Sequence, residues 1–455
     1  MNSPLIEDPT HETDALGAVR EALRAIDIRD AEVRALVDVF ADDALAEAHH
    51  QMSVPADRRG PLTGVPIVVK DIYDVAGHPT GNGSAASPRT PAHSDSEAVR
   101  RARAAGAIVL AKATTHEYAW GVTTPPTRNP HDLTRVPGGS SGGTAAAIAA
   151  GMAVSGLGTD TGGSIRIPAA LCGVAGIKPT FGLVSRRGVS GLSWSLDHTG
   201  PLGRSVGDVA ALLQAIAGYD PADPYSVPGP PAVYDAEFDR GVAGLRIGLS
   251  QNYFGDRLTD DVASAFEATV AALEAAGATI VSVDLSGLAA CPDILAGLSP
   301  VETVAWHGSQ TDIDTTAYGP DVAAALTLGN ATSGVDYARA LHAKHVLTRD
   351  VVGLFDDLDV LVSPTVAMTA PPCGLDRVDL GGTDVPVLEG LNALTIPANV
   401  TGIPALSVPC GTDRAGLPVG FQIMGRPWAE ATVLGVGATV ETLMAHTRPS
   451  TTTTV

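Results

Sequence analysis

Residues 158–168 read GTDTGGSIRIP, in which a pair of glycines comes directly before Ser164. The stretch that leads into it, GGTAAAIAAGMAVSGLG at 142–158, predicts a buried helix followed by a strand, since it is shorter than the roughly 20 apolar residues of a membrane span. No histidine lies within thirty residues of Ser164 on either side. If this serine is a nucleophile, another kind of group must accept its proton.

Strand and helix patterns alternate on both sides of this stretch. PLTGVPIVVKD at 61–71 has a short β-branched run between glycine and proline, and SDSEAVRRARAAGAIVLAK at 94–112 predicts a helix followed by another strand. The same order returns in GLRIGLS, DVLVSPTV and GFQIMGRPWAEATVLGVGATVETLM nearer the C-terminus. The chain is therefore predicted to be an α/β protein with one large sheet covered by helices.

The N-terminal part of the chain has a helical period instead. Residues 14–52 repeat apolar positions every three or four residues, which predicts one or two amphipathic helices. We therefore expect an N-terminal helical segment at 1–60 packed on the core, one α/β domain at 61–446 and a frayed tail at 447–455. The proline-rich stretch 218–235 is typical of a linker, but the elements on both sides of it can equally join one sheet.

Composition excludes several classes of partner. The formal net charge of −21 and the pI near 4.8 oppose attraction to nucleic acid or to an anionic membrane surface, so we expect a small-molecule partner. The four cysteines lie far apart without CxxC spacing, and the first residues do not resemble a signal peptide, which together predict a cytoplasmic setting. The twelve histidines show no ligand spacing, and neither a metal nor a cofactor is predicted.

Lys70 is the candidate for the missing base. It ends the apolar run PIVVK and is one of only four lysines in the chain, against 25 arginines. Burial lowers the pKa of a lysine, which can then accept a proton near neutral pH, whereas arginine cannot. A second glycine and serine cluster, VPGGSSGGTAAA, places Ser140 24 residues before Ser164. A proton could thus pass from Ser164 through Ser140 to Lys70.

The glycines before Ser164 suggest a second chemical element, an oxyanion hole. Residues without Cβ allow a substrate to approach the backbone closely, so that several N–H groups can converge on a carbonyl oxygen. The candidate donors are the N–H groups of Thr161, Gly162, Gly163 and Ser164.

Several ordered motifs resemble those of the amidase signature family over about residues 60–445. They are PLTGVPIVVKD, PGGSSGGTAAAIAAG, LGTDTGGSIRIPAALCGVAGIKPT, NVTGIPALSVPCG and PVGFQIMGRP. The resemblance implies the fold of that family, a single large mixed β-sheet flanked by helices, and it implies hydrolysis of amide bonds.

The resemblance also implies roles for individual residues. Lys70 would be the base, Ser140 a bridging serine after a cis peptide bond, and Ser164 the nucleophile that accepts the acyl group, with the N–H groups of residues 161–164 as the oxyanion hole. Three further residues match positions that support the loop by hydrogen bonds: Ser141, Asp160 and Arg166.

Other interpretations of these residues stay open. Lys112 and Lys178 also border the motifs and are weaker candidates for the base, and Cys172 is a weak candidate for a thiol nucleophile. The segments 113–128, 186–198, 295–345 and 366–392 are predicted to form the substrate pocket. Three aromatic residues near the motifs are expected either in the pocket wall or in the core: Tyr118, Trp120 and Trp194.

The leading hypothesis for function is a stand-alone amidase that forms an acyl-enzyme on Ser164 and resolves it with water, and that also cleaves esters or carbamates of small molecules. The alternative is the glutamine-splitting A-type subunit of a tRNA-dependent amidotransferase, which needs partner subunits. A non-catalytic binding protein on the same fold is the third class, and the presence of Lys70, Ser140 and Ser164 argues against it. We expect a monomer or a homodimer.

Overall fold

The structure, a computed structural model, describes residues 15–250, 252–253 and 257–445. Within these residues, eleven strands form one sheet in the order β1-β3-β2-β4-β6-β5-β12-β13-β9-β7-β8, and β10 and β11 pair separately. The strands are β1 (Leu36–Val39), β2 (Pro66–Lys70), β3 (Ile108–Ala113), β4 (Ser155–Asp160), β5 (Ala175–Lys178), β6 (His198–Gly203), β7 (Arg246–Leu249), β8 (Thr279–Ser282), β9 (Val360–Pro364), β10 (Arg377–Leu380), β11 (Thr383–Pro386), β12 (Ala405–Thr412) and β13 (Pro418–Gly425).

Helices cover the sheet. They are α1 (Ala15–Val33), α2 (Ala41–Met52), α3 (Glu97–Ala104), α4 (Gly142–Ala149), α5 (Arg166–Cys172), α6 (Val206–Ile216), α7 (Asp260–Ala275), α8 (Cys291–Gly308), α9 (Pro320–Ala331), α10 (Gly334–Leu354), α11 (Val387–Asn392), α12 (Ile396–Thr401) and α13 (Glu430–Ala445). The prediction of an α/β protein with one large mixed sheet flanked by helices is confirmed.

The sheet is mixed because two groups of parallel strands flank an antiparallel centre. β2 runs parallel to both β3 and β4, and β7 runs parallel to β8 and β9. Between the two groups, β6, β5, β12 and β13 pair with antiparallel neighbours. Parallel strands need helical crossovers, which explains why the strand and helix alternation in the sequence is strongest around β2 to β4.

The N-terminal segment contains an element that periodicity did not predict. The two helices α1 and α2 were expected, but β1 lies between them and pairs antiparallel with β3, Leu36 opposite Ala113. β1 is four residues long, and most of it is exposed at the edge of the sheet. Four residues are too few to separate a strand pattern from the helical periodicity around them, so only the pairing with β3 defines it. The tail predicted at 447–455 lies outside the described residues, as do residues 1–14.

The proline-rich stretch 218–235 does not separate two cores. One cluster of buried apolar residues includes side chains before this stretch, such as Leu183 and Ile216, and side chains after it, such as Ile247 and Phe421. Strands from both sides join the same sheet. The division at residues 60 and 446 stays a prediction.

The segment Ser286–Gly308, which contains α8, is long and apolar enough to cross a membrane, with a mean hydropathy of 1.2. The segment is packed against the rest of the protein, since 44% of its apolar 18-residue stretch is buried. Glu302 on this helix is fully buried and accepts hydrogen bonds from Ser193 Oγ at 2.5 Å and from Tyr337 Oη at 2.9 Å. A buried carboxylate bonded to two other parts of the chain is typical of a core helix.

Candidate active site

The site begins where two neighbouring parallel strands end. β2 and β4 pair in parallel with Val69 opposite Leu157, so their carboxyl ends lie at the same edge of the sheet. Lys70 is the last residue of β2, and Thr159 and Asp160 are the last residues of β4. The loop after a strand in an open α/β sheet is a common place for a ligand, and here that loop carries the glycine pair and Ser164.

Lys70 is completely buried and contacts Ser140 and the end of β4. Its Nζ donates hydrogen bonds to Ser140 Oγ at 2.7 Å and to Thr159 Oγ1 at 2.8 Å. Burial lowers the pKa of Lys70 from 10.5 to about 7, against the opposing attraction of the Asp160 and Asp197 carboxylates. Near neutral pH a large fraction of this amine is therefore uncharged, and the uncharged amine can accept a proton from the Ser140 hydroxyl across the same 2.7 Å.

The other two candidate lysines are placed elsewhere. Lys112 pairs with Asp71 Oδ1 at 3.0 Å and donates to the Tyr73 carbonyl at 2.6 Å. Lys178 donates to the carbonyl of Ile403 at 2.6 Å. Neither is hydrogen-bonded to a serine hydroxyl within the described residues, so the structure brings Lys70 rather than Lys112 or Lys178 to Ser140.

The predicted cis peptide bond between Gly139 and Ser140 is confirmed. The next residue, Ser141, links the two serine-bearing loops. Its N–H donates to the Ser164 carbonyl at 3.1 Å, and its hydroxyl donates to the Thr159 carbonyl at 3.2 Å. Ser141 therefore positions the loop that carries Ser140 against β4 and against Ser164.

Ser164 lies at the wall of a cavity of about 630 Å³. Only 6% of the residue is exposed, and within the described part of the chain its hydroxyl makes no hydrogen bond to another residue. The cavity also reaches Thr161 and Gly162. The hydroxyl is therefore positioned beside open space that a substrate carbonyl can occupy.

The prediction of four N–H donors around that space needs a correction. The N–H of Gly163 donates to Asp160 Oδ1 at 2.8 Å, because the buried carboxylate requires donors close to it. The N–H groups of Thr161, Gly162 and Ser164 have no acceptor among the described residues. The oxyanion hole that this loop can form therefore has three candidate donors instead of four.

Asp160 and Arg166 form a fully buried ion pair that organises this loop. Arg166 Nε donates to Asp160 Oδ2 at 2.9 Å, and its Nη2 donates to Oδ1 at 2.8 Å. Burial alone would raise the pKa of Asp160, but the Arg166 guanidinium and its hydrogen bonds outweigh burial and hold that pKa well below its usual range. The carboxylate stays ionised and fixes the turn by accepting from the N–H groups of Gly163 and Ile165.

Sequence reasoning missed the residues from the C-terminal part of the chain that complete this network. Arg166 donates to the side chains of Asn399 at 2.6 Å and Gln422 at 2.7 Å, and Thr395 Oγ1 donates to the Gly162 carbonyl at 2.6 Å. Gln422 is a polar residue within the apolar strand PVGFQIMG, and Asn399 stands in NVTGIP. A buried polar residue in an apolar run is the signal that could have identified them.

All four segments predicted for the substrate pocket contribute to the wall of the first cavity. Most of the lining is apolar, and its aliphatic side chains include Val122, Leu192, Leu295 and Leu388. A second cavity of about 460 Å³ shares Ala119, Thr161 and Leu192 with the first. The two cavities are therefore adjacent at these three residues.

The three aromatic candidates have different positions. Trp120 lines the first cavity and Trp194 lines the second. Tyr118 is 2% exposed and packs edge-on against His307 and Tyr318, with ring centroids 4.6 and 5.9 Å away. The expectation that it could belong to the pocket wall is corrected: within the described residues it belongs to an aromatic cluster and lines none of the main cavities.

Cys172 does not have the environment of a nucleophile. It is buried at the end of α5, and its Sγ donates to the Pro137 carbonyl at 3.2 Å. Burial raises the pKa of its thiol, which keeps it protonated at neutral pH. Among the described residues, no group of three His, Cys, Asp or Glu side chains is arranged to hold a metal ion.

The chain matches the family model "Amidase" over residues 17–434. It is similar to an amidase of Pseudomonas putida, with 39% identity that covers 94% of this chain and 92% of the relative. It is also similar to the A-type subunit of the glutamyl-tRNA(Gln) amidotransferase of Acidobacterium capsulatum, with 38% identity, 95% of this chain and 97% of the relative. Among solved structures it is similar to the native peptide amidase of Stenotrophomonas maltophilia, with a TM-score of 0.83, 33% identity, and 97% and 98% of the two chains covered.

The two glycines before Ser164 should respond differently to a methyl group. Gly163 has φ +126°, and a Cβ there would collide with Thr395 Oγ1 and lie 2.7 Å from Ile167 Cδ1. At Gly162 the nearest atom, Leu295 Cδ1, is 3.4 Å away. We expect Gly163→Ala to lower the free energy of unfolding by about 2–4 kcal/mol and Gly162→Ala by about 1 kcal/mol or less, measured by urea denaturation. Equal losses in the two variants would contradict the assigned loop conformation.

Proposed function

This chain belongs to the amidase signature family, and on that premise we propose that it is a stand-alone amide hydrolase that forms an acyl-enzyme on Ser164 and resolves it with water. Esters and carbamates of small molecules are further proposed substrates, because the same attack on an acyl carbon cleaves them. We also propose that the enzyme acts in the cytoplasm as a monomer or homodimer, without a metal or other cofactor.

In the proposed mechanism, Ser164 Oγ attacks the carbonyl carbon while its proton passes to Ser140, whose own proton passes to Lys70. The free N–H groups of the loop after β4 stabilise the negative charge that develops on the carbonyl oxygen. The C–N bond then breaks, and the proton held by Lys70 returns through Ser140 to the leaving nitrogen. Water then attacks the acyl carbon of the acyl-enzyme through the same proton transfers, so that the carboxylic acid is released and Ser164 is restored.

One observation carries this proposal. The Lys70 amine is buried, its pKa is lowered to about 7, and it lies 2.7 Å from Ser140 Oγ. A structural lysine is usually paired with a carboxylate or donates to carbonyls, as Lys112 and Lys178 do. An amine with a pKa near 7 whose hydrogen bonds, within the described residues, go only to hydroxyl oxygens has instead the properties of a general base.

The A-type amidotransferase component is the second candidate function, and the 38% identity to such a protein over nearly the whole chain favours it. The wall of the first cavity supports the stand-alone hydrolase. Val122, Leu192 and Leu295 line the cavity that also reaches Ser164. Three charged residues also line this cavity, Arg128, Asp321 and Asp376, but most of its wall is apolar. Burying the ammonium and carboxylate groups of glutamine against apolar side chains is unfavourable, whereas an uncharged acyl group fits them.

A substrate panel tests the choice between the two functions. The purified chain alone is assayed with aryl amides, aliphatic amides, carbamates, esters and glutamine, each at several concentrations. We expect turnover of uncharged amides by the chain alone, with a kcat/KM for glutamine that is lower by about 100-fold or more, because its two charges lose hydration in the pocket. Glutaminase activity that appears only after amidotransferase partner subunits are added would reverse this ranking.

Replacement of the nucleophile gives a direct check on the acyl-enzyme. We expect Ser164→Ala to lower kcat by about a thousandfold or more, because the remaining groups only bind and polarise the substrate. Mass spectrometry after treatment with a serine-directed phosphonate should find the adduct on the peptide that contains Ser164. Cys172→Ala is the control, and it should keep the labelling. An adduct on Cys172 in the unmodified enzyme would disprove the assignment.

The pKa of Lys70 predicts the pH dependence. The uncharged amine is the active form, so kcat/KM should rise about tenfold per pH unit below pH 7 and level off above it. Lys70→Arg stays charged at every accessible pH and should lose at least about 100-fold in kcat/KM. Lys344→Arg, at a lysine that donates to the Val400 carbonyl, is the control and should keep the normal pH profile. A folded Lys70→Arg protein with more than about a tenth of the normal kcat/KM would exclude Lys70 as the base.

A further inference from the structure

The first cavity contains a buried hydroxyl group without a hydrogen-bond partner. Ser299 on α8 lines this cavity and is 3% exposed. Hydroxyl groups inside helices commonly donate to the carbonyl four residues earlier, as Thr303 Oγ1 does to the Ser299 carbonyl at 2.8 Å. Within the described residues Ser299 Oγ makes no such bond, and it is not among the unpaired atoms that the protein shields completely. Ser299 Oγ therefore faces open space in the cavity, where a ligand can reach it.

Asn392, the last residue of α11, brings a second free polar group to the same cavity. The residue is half-buried, and its carbonyl accepts from the N–H and the Oγ1 of Thr395, each at 3.0 Å. Its side-chain amide has no partner in the part of the chain that the structure describes. An amide of this kind offers two N–H donors and a carbonyl acceptor, and a serine hydroxyl also donates and accepts. Ser299 and Asn392 thus present uncharged groups that can do both.

Both residues are placed close to the loop that carries Ser164. Thr395 Oγ1, which donates to the Asn392 carbonyl, also donates to the Gly162 carbonyl at 2.6 Å. On the other side, Leu295 Cδ1 is the nearest atom to a Cβ placed on Gly162, at 3.4 Å. Ser299 lies one turn of α8 from Leu295, which is about 5.4 Å along the helix. A short carbon chain can therefore span from the loop to these two side chains.

The charged residues of the cavity lie in the more exposed part of its lining. The Asp321 side chain is 61% exposed and pairs with His116 Nε2 at 2.9 Å. Asp376 is exposed, and Arg128 is half-buried. The buried Ser299, in contrast, is neutral. Since burying a charge without a partner is costly, this part of the cavity favours a ligand group that is polar and uncharged.

The position of Ser164 indicates which half of the substrate these groups face. Ser164 lines the first cavity together with Ser299 and Asn392. In the acyl-enzyme the acyl carbon is bonded to Ser164 Oγ, so the acyl group has to occupy the space that this oxygen faces. Ser299 and Asn392 are therefore placed to contact the acyl half.

We propose that the first cavity selects substrates whose acyl half carries a second, uncharged amide group, as in the diamides of short dicarboxylic acids, and that Ser299 Oγ and the Asn392 side chain hydrogen-bond this second amide. The inference rests on the proposed amide hydrolysis, and it adds the chemical class of the acyl group. Ser299 and Asn392 act as specificity residues that contact the substrate. They take no part in bond breaking.

The test compares three anilides whose acyl groups have the same shape: 4-methylpentanoyl, 3-carbamoylpropanoyl and 3-carboxypropanoyl. Release of aniline is measured for each with the unmodified enzyme. We expect kcat/KM for the carbamoyl substrate to exceed that for the 4-methylpentanoyl substrate by about tenfold or more, because two hydrogen bonds are gained. The carboxy substrate should be no better than the 4-methylpentanoyl substrate, because its charge loses hydration.

The other outcomes of this comparison are equally definite. A preference for the carboxylate or for the 4-methylpentanoyl group, or equal kcat/KM values for all three, would overturn the proposed subsite. Release of aniline from none of the three would contradict the amide hydrolase on which the inference rests.

Two variants connect the preference to the free side-chain groups. Ser299→Ala removes the hydroxyl, and Asn392→Leu removes the amide at a similar size. Each should reduce the preference to about threefold or less. The matched controls are Ser53→Ala and Asn330→Leu, at exposed residues that donate to the carbonyls of His50 and Leu326, and both should keep the full preference. Retention of the full preference in either folded site variant would refute the joint contact.

A crystal structure of the unmodified enzyme covers the case in which the variants do not fold. The reagent is a p-nitrophenyl phosphonate with a 2-carbamoylethyl group on phosphorus. Ser164 Oγ forms the new bond to phosphorus, the bond to p-nitrophenolate breaks, and the proton of Oγ passes through Ser140 to Lys70. We expect the carbamoyl group at about 2.7–3.2 Å from both Ser299 Oγ and the Asn392 side-chain amide. A carbamoyl group that contacts neither contradicts the subsite alone, whereas absence of any adduct on Ser164 contradicts the nucleophile itself.

Discussion

The buried ion pair between Asp160 and Arg166 is the interaction on which the rest of the site depends. Both side chains are completely buried, and breaking such a pair typically costs about 3–5 kcal/mol, because one charge is left without a partner. Asp160 ends β4, and Arg166 begins α5, so the pair closes the turn that carries Ser164. Arg166 also reaches Asn399 and Gln422, which join this turn to the C-terminal part of the chain. The loop is therefore held by both its own strand and the later elements of the fold.

The same pair sets the balance of charge around the lysine. Burial lowers the pKa of Lys70, while the negative charge of Asp160 raises it. Without Arg166, an unpaired carboxylate this close would favour the ammonium form and would hold the proton on Lys70. Burial has the larger effect, so the pKa of Lys70 lies near 7. The ion pair thus holds the geometry of the loop and pairs the carboxylate that acts on the amine.

The two cavities share Leu192, and buried carboxylates fix the segment that contains it. Asp197 accepts hydrogen bonds from the N–H groups of Leu192 and Ser193 and from the hydroxyl of Thr161, which ties this segment to the loop after β4. Glu302 on α8 binds the same segment from the other side through Ser193. Since the segment has partners on both sides, the wall that the two cavities share is firmly placed.

The sequence by itself determined the α/β class, the helix and strand before Ser164, and the position of Lys70 at the end of an apolar strand. These features depend on local periodicity and on residues a few positions apart, which a single sequence shows directly. Tertiary structure alone decided what depends on partners distant in the chain. β6 contains Pro201 and two glycines, and its pairing with β4 and β5 makes it a strand. Three features follow from the path of the whole backbone: the Gly163 N–H donates to Asp160, Tyr118 packs away from the cavities, and within the described residues Nε2 of His198 has no partner. They could not be read from the sequence because a hydrogen-bond partner is fixed by position in space and not by distance along the chain.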